Sequence, residues 1–194
     1  MFKLPIDATP SRRSFLRGSG ATLLSGAAVM LLSGNEALAA GSQGDASVDA
    51  GILNVALGLE HQGINAYTLG AQSGLLQKPV LDIALQFQAD HKAHRDLLIS
   101  AIHKLGGKPV EEKSLDTYAK ALGAGGLKNQ EDVLKLALSL ELGASNAYLG
   151  VIPAFKDHAF AKVAARLAAD EVAHWAVLNR ALALPLPAPM FFGA

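Results

Sequence analysis

The chain has 194 residues, 17 Lys/Arg against 17 Asp/Glu, and no cysteine. A neutral balance gives no electrostatic footprint for nucleic acid, and the lack of thiols excludes disulfide staples and thiolate metal ligands. Ala and Leu dominate and β-branched runs are few, a composition that predicts helices rather than sheet.

The chain begins with an address. Ser11-Arg12-Arg13-Ser14-Phe15-Leu16-Arg17 resembles the twin-arginine export signal. Gly18 to Leu32 is a moderately apolar run, short of the roughly 20 residues a membrane span needs, and Ala37-Leu38-Ala39 is a small-x-small cleavage site. The three regions in this order make 1–39 a twin-arginine signal peptide. The resemblance implies the twin-arginine translocase as a partner, and a periplasmic protein exported folded with its metal chosen in the cytoplasm. Removing the four Lys/Arg and two Asp/Glu before residue 40 leaves 13 basic and 15 acidic groups. What remains is long enough for one domain with its own core.

Residues 40–49 read as a flexible leader of small and polar residues. Ser47 or Asp49 can cap the first helix, whose apolar stripe is Leu53, Leu57, Glu60, Ile64 and Tyr67. The second helix starts at Pro79, with the stripe Ile83, Phe87, His91, His94, Leu98 and Ile102, and stops at Gly106-Gly107. A link over 106–129 follows, with a short helix expected over 114–122. The third helix starts near Asn129, carries Leu134, Leu138, Glu141, Ser145 and Tyr148, and ends at Pro153. The fourth runs from about Lys156 to Leu182, with the stripe Phe160, Val163, Leu167, Glu171, His174 and Leu178. Pro185, Pro187 and Pro189 then impose an extended tail over 183–194.

Every stripe thus has an acid, an imidazole or both at its centre. An unpaired charge in an apolar core costs several kcal/mol or more, so these groups need partners or a metal. Glu171 and His174, three apart, share one helix face. A Glu-x-x-His pair is half the ligand set of a two-metal site in a helical bundle. The chain supplies the other half by repetition. Ala56-Leu57-Gly58-Leu59-Glu60 matches Ala137-Leu138-Ser139-Leu140-Glu141, and Asn65-Ala66-Tyr67 matches Asn146-Ala147-Tyr148. Ala89-Asp90-His91-Lys92-Ala93-His94 matches Ala169-Asp170-Glu171-Val172-Ala173-His174.

On these residues the chain resembles the ferritin-like superfamily, in particular small exported ferritin-like proteins with a twin-arginine signal. The resemblance implies an all-α, ferritin-like four-helix bundle over 50–182 with a long crossover between the second and third helices. It implies metal ligands at Glu60, His94, Glu141, Glu171 and His174. The sixth donor is His91, where the pattern expects a bridging Glu, or Asp90 if the His91 ring turns away. Asp90 and Asp170 are expected to accept from the rings of His174 and His94 and so fix their tautomers. Tyr67 and Tyr148, two turns beyond Glu60 and Glu141, either pack with a satisfied hydroxyl or support the site. His61, His103 and His158 fall off the stripes and are read as exposed or interfacial. The small Gly63 and Ala144, one turn past the two Glu residues, either leave a cavity or permit close helix approach.

The implied cofactor is a pair of metal ions, iron first, with manganese, zinc or copper as alternatives. The implied activity is that of an oxidoreductase acting on a small oxidant such as oxygen or peroxide, with a homodimer open. The competing reading is a non-catalytic, metal-holding or stress-protective bundle with a degenerate site. Arg12→Lys combined with Arg13→Lys should block export; wild-type levels of the double variant in the periplasmic fraction, measured by immunoblot, would overturn the signal assignment.

Overall fold

The computed structural model describes residues 44–193; residues 1–39, read above as a signal peptide, and the first residues read as a leader lie outside the described residues. Five α-helices and no strand are present among the described residues. They are α1 (Asp45–Gln72), α2 (Lys78–Lys104), the short α3 (Leu115–Ala121), α4 (Gln130–Val151) and α5 (His158–Ala181). The four long helices form two hairpins, α1 with α2 and α4 with α5, and α1 also packs on α4. This is the helical bundle with a long crossover that the resemblance implies.

The helix ends follow local chemistry. Pro79 lies in the first turn of α2, and Asn129 caps α4 by accepting from the Asp132 N–H at 2.9 Å. Gly106 adopts φ +76° past the end of α2, letting the Gly107 N–H reach back to the Ile102 carbonyl at 2.9 Å. Ser114 caps α3. Pro153 ends α4 in a single 3-10 turn.

One start differs from expectation. α1 begins at Asp45 behind Gly44, so the last residues assigned to the leader are helical, and Asp49 does not cap its own helix. Its carboxylate is 1% exposed and accepts from the Lys156 and Asp157 N–H groups, at 2.8 and 2.9 Å. Asp49 therefore ties α1 to the turn that opens α5, whose own cap is Asp157, accepting from Ala159 N–H.

Two apolar clusters fill the bundle. Leu53, Leu57, Leu98, Ile102, Tyr148 and Leu167 belong to one, and Tyr67, Ala84, Phe87, Leu134 and Leu178 to the other. Along each long helix the mid-stripe acid or imidazole falls between these clusters. Burying one Leu or Ile contributes roughly 1.5–3 kcal/mol, so the two apolar ends hold the polar middle shut. Two stripes need correction. Ile83 is 39% exposed and Ala84 is buried in its place. Two successive four-residue steps, Ile83 to Phe87 to His91, rotate about 80° beyond two full turns and carry Ile83 off the face. Phe160 and Val163 are only partly buried, and Ala164 and Ala168 face the core instead.

The crossover is pinned along α1. Asn54 donates to the Lys108 carbonyl and accepts from the Val110 N–H, and Asn65 donates to Glu112. His61 Nε2 lies 3.2 Å from the Val110 carbonyl. His61 is 5% exposed, so of the two expected settings it takes the interfacial one, against the crossover. His103 and His158 are exposed as expected. The proline-rich tail folds back: Phe191 and Phe192 pack on Trp175, and Asn179 donates to the Leu184 and Pro185 carbonyls.

Asp49→Ala leaves two backbone N–H groups without their acceptor. It should lower the unfolding free energy by about 1–3 kcal/mol without changing the denaturant slope. A urea midpoint equal to wild type would show that this tie contributes nothing.

Candidate metal centre

Glu60 on α1, His91 and His94 on α2, Glu141 on α4, and Glu171 and His174 on α5 converge in the middle of the bundle. None is more than 8% exposed. Their donor atoms form two sets, each lying within 4.8 Å: Glu60, His91, His94 and Glu171, and His91, Glu141, Glu171 and His174. His91 and Glu171 belong to both.

The atoms can be followed one by one. Around the first set, Glu60 Oε2 lies 2.8 Å from His91 Nδ1 and 3.7 Å from His94 Nδ1. Glu171 Oε1 lies 3.3 Å from His94 Nδ1 and 3.8 Å from His91 Nδ1. Around the second, Glu141 Oε1 is 3.4 Å from His91 Nε2, and Glu141 Oε2 is 3.6 Å from His174 Nδ1. Glu171 Oε2 is 3.7 Å from the same His174 nitrogen. Two donors about 2.1 Å from one ion in tetrahedral geometry stand roughly 3.4 Å apart, so these spacings suit coordination.

The supporting contacts are reciprocal between the halves. Tyr67 donates its hydroxyl proton to Glu141, and Tyr148 donates to Glu60. Each Tyr thus holds one oxygen of the other half's Glu. His94 Nε2 donates to Asp170 at 3.3 Å, and His174 Nε2 donates to Asp90 at 3.3 Å. Both ring Nδ1 atoms are thereby turned inward, the tautomer a ligand needs. Asp90 lies outside both donor sets, and its other oxygen accepts from Gln86.

Two contacts were not read from the sequence. Phe87 stacks on the His174 ring, with centroids 4.0 Å apart. Gly63 lies against His91: a Cβ at this position would stand 3.0 Å from Cε1, 3.1 Å from Nδ1 and 3.2 Å from Nε2. The missing side chain is what admits the ring. The small residue after Glu60 was the available signal, and its neighbour could not be known without the fold.

The electrostatics of the cluster are those of mutual compensation. Burial pushes the Glu60 carboxyl up, but His91 and His94 beside it override this and hold it at about 2. Burial likewise opposes ionisation of Glu141, which Glu171, His174 and His91 nevertheless draw well below the usual range. Glu171 is raised to about 7 by burial and by Glu141. Burial would depress the imidazoles, yet Glu171 and Glu60 lift His94 to about 10, and Glu141 and Glu171 lift His174 to about 9. His91 is raised well above its ordinary value by Glu141 and Glu60, against its burial. The tyrosines are pushed well up by burial and by the carboxylates they serve.

Five buried atoms of the cluster have no hydrogen-bond partner: His94 Nδ1, His174 Nδ1, Glu141 Oε2 and both oxygens of Glu171. Leaving one such group unsatisfied costs about 1–3 kcal/mol, more when it is charged. All five face the two donor sets. Lone pairs of carboxylates and imidazoles converging in this way fit divalent metal ions.

A family model described as a ferritin-like domain matches residues 48–184. The chain belongs to the ferritin-like domain family. No curated protein matches the chain with significant similarity. The fold and a buried His/Glu cluster compatible with a metal site therefore stand together.

With His94 and His174 held near 10 and 9, both rings carry their second proton at neutral pH, and a divalent ion must displace it. Zinc affinity should therefore rise with pH, by at least about tenfold per unit between about pH 6 and pH 8, with proton release into weak buffer. Affinity independent of pH would mean that the rings do not take the metal.

Proposed function

We propose that this chain is an exported ferritin-like protein whose bundle holds two metal ions, iron foremost, and acts on oxygen or peroxide as an oxidoreductase. One observation carries this reading: the buried donors fall into two sets of four, and His91 and Glu171 are common to both. A single-ion site would need only one such set.

The residues have definable tasks. Glu60, His94, Glu141, Glu171 and His174 hold the ions, with His91 as the sixth donor rather than Asp90. Tyr148 fixes Glu60 Oε1 and leaves Oε2 toward His91 and His94, and Tyr67 fixes Glu141 Oε1 and leaves Oε2 toward His174. Asp170 and Asp90 fix the histidine tautomers. The apolar clusters on either side exclude bulk water, which strengthens every charge interaction inside. Three imidazoles tilt the donor set from manganese toward iron, copper or zinc. Bound iron would supply the one-electron redox chemistry that these side chains lack.

The test is elemental analysis of protein recovered from the periplasm without added metal, followed by oxygen and peroxide consumption assays. About two iron atoms per chain with consumption of either oxidant supports the reading. Bound metal with neither activity makes the protein a metal-holding bundle instead. Glu141→Ala should lower metal content by at least half. It should also abolish the rise in thermal midpoint that metal gives the wild type over its chelator-treated form. Full occupancy in the variant would remove Glu141 from the ligand set.

A further inference from the structure

His91 is the one side chain of the cluster that faces the two donor sets through two different atoms of a ring. Its Nδ1 is 2.8 Å from Glu60 Oε2 and 3.8 Å from Glu171 Oε1, in the first set. Its Nε2 is 3.4 Å from Glu141 Oε1, in the second. We propose that His91 bridges the two ions as an imidazolate, giving Nδ1 to one and Nε2 to the other. The inference rests on the two-metal reading above and goes beyond it, since that reading is satisfied by a ring bound through one nitrogen.

Three further observations support the bridge. The first is steric. A Cβ on residue 63 would stand 3.0–3.2 Å from Cε1, Nδ1 and Nε2, nearly equidistant from the three and therefore over the ring face. Gly63 lets that face lie against α1, which leaves both nitrogens in the ring plane clear of the helix. The second comes from the internal repeat. Gly63 and His91 occupy the positions that Ala144 and Glu171 occupy in the other half. At the matched positions the bulkier ring goes with glycine, and the narrower carboxylate with alanine. The third is charge. Two divalent ions facing three carboxylates leave one uncompensated positive charge in a buried site, which is costly. An imidazolate supplies the fourth negative charge, so His91 replaces a carboxylate in charge as well as in position. The ring releases its N–H protons to solvent as both nitrogens coordinate, and no electron is transferred.

His94 and His174 provide the internal control. Each donates Nε2–H to an aspartate and offers only Nδ1 inward. In protein labelled with 15N-histidine and loaded with two equivalents of zinc, long-range proton–nitrogen spectra should show metal-shifted resonances for both His91 nitrogens and no ring N–H. His94 and His174 should each show one metal-shifted nitrogen and one retained N–H. A His91 N–H that persists with two zinc ions bound overturns the bridge and leaves the two-metal reading standing. A chain that binds only one zinc overturns both. His91→Gln, an amide that cannot bridge as an anion, should weaken the second zinc at least about tenfold while the first still binds. Two zinc ions held with wild-type affinity by His91→Gln would also overturn the bridge.

Discussion

Three carboxylates and three imidazoles share a volume from which water is excluded, and the rest of the bundle is arranged around the cost of putting them there. A carboxylate taken out of water loses several kcal/mol of hydration even after relaxation. Glu60 and Glu141 recover part of that loss from specific neighbours. Glu60 has Tyr148 on one oxygen and His91 on the other; Glu141 has Tyr67 and His91 on the same oxygen. Glu171 alone has no hydrogen bond to either oxygen, and it is the carboxylate common to both donor sets. The group least satisfied by protein is the one best placed for an ion.

The compensation crosses between the two hairpins. Tyr67 of the first serves Glu141 of the second, and Tyr148 returns the contact to Glu60. Asp90 and Asp170 exchange ring partners in the same way. A repeat that in the sequence is only two similar halves becomes in three dimensions a set of reciprocal bonds. Neither hairpin can assemble its share of the site alone, so forming the site and docking the hairpins are one event. The exception to the symmetry is also cooperative: the His91 ring fits because Gly63 has no side chain.

Polar ties of long sequence separation hold the frame outside the site. Asp49 reaches the turn before α5, and Asn54, His61 and Asn65 fasten the crossover along α1. These residues look like solvent-facing positions when only the core stripe is considered. The spacing of seven and four among Asn54, His61 and Asn65 nonetheless puts those three on one face of the helix, a second stripe that is polar because its partner is a loop with free backbone groups.

The helices, their approximate ends, the two-hairpin connectivity and the six convergent side chains were legible in the sequence, because a helix repeats every 3.6 residues and one polar group per apolar stripe stands out against that period. The internal repeat added what a lone Glu-x-x-His could not, a matching half in the right order. Other features depended on distances between helices, to which periodicity is blind. The sequence left open whether His91 or Asp90 faces inward, and only packing placed the ring against Gly63 and sent Asp90 to His174. It left Tyr67 and Tyr148 between packing and support, and only the crossing of the hairpins brought their hydroxyls to the opposite glutamates. It put Ile83 in the core and left His61 between exposed and interfacial, because a helix face is decided by what lies against it, and both the neighbouring helix and the crossover reach their places only when the whole chain has folded.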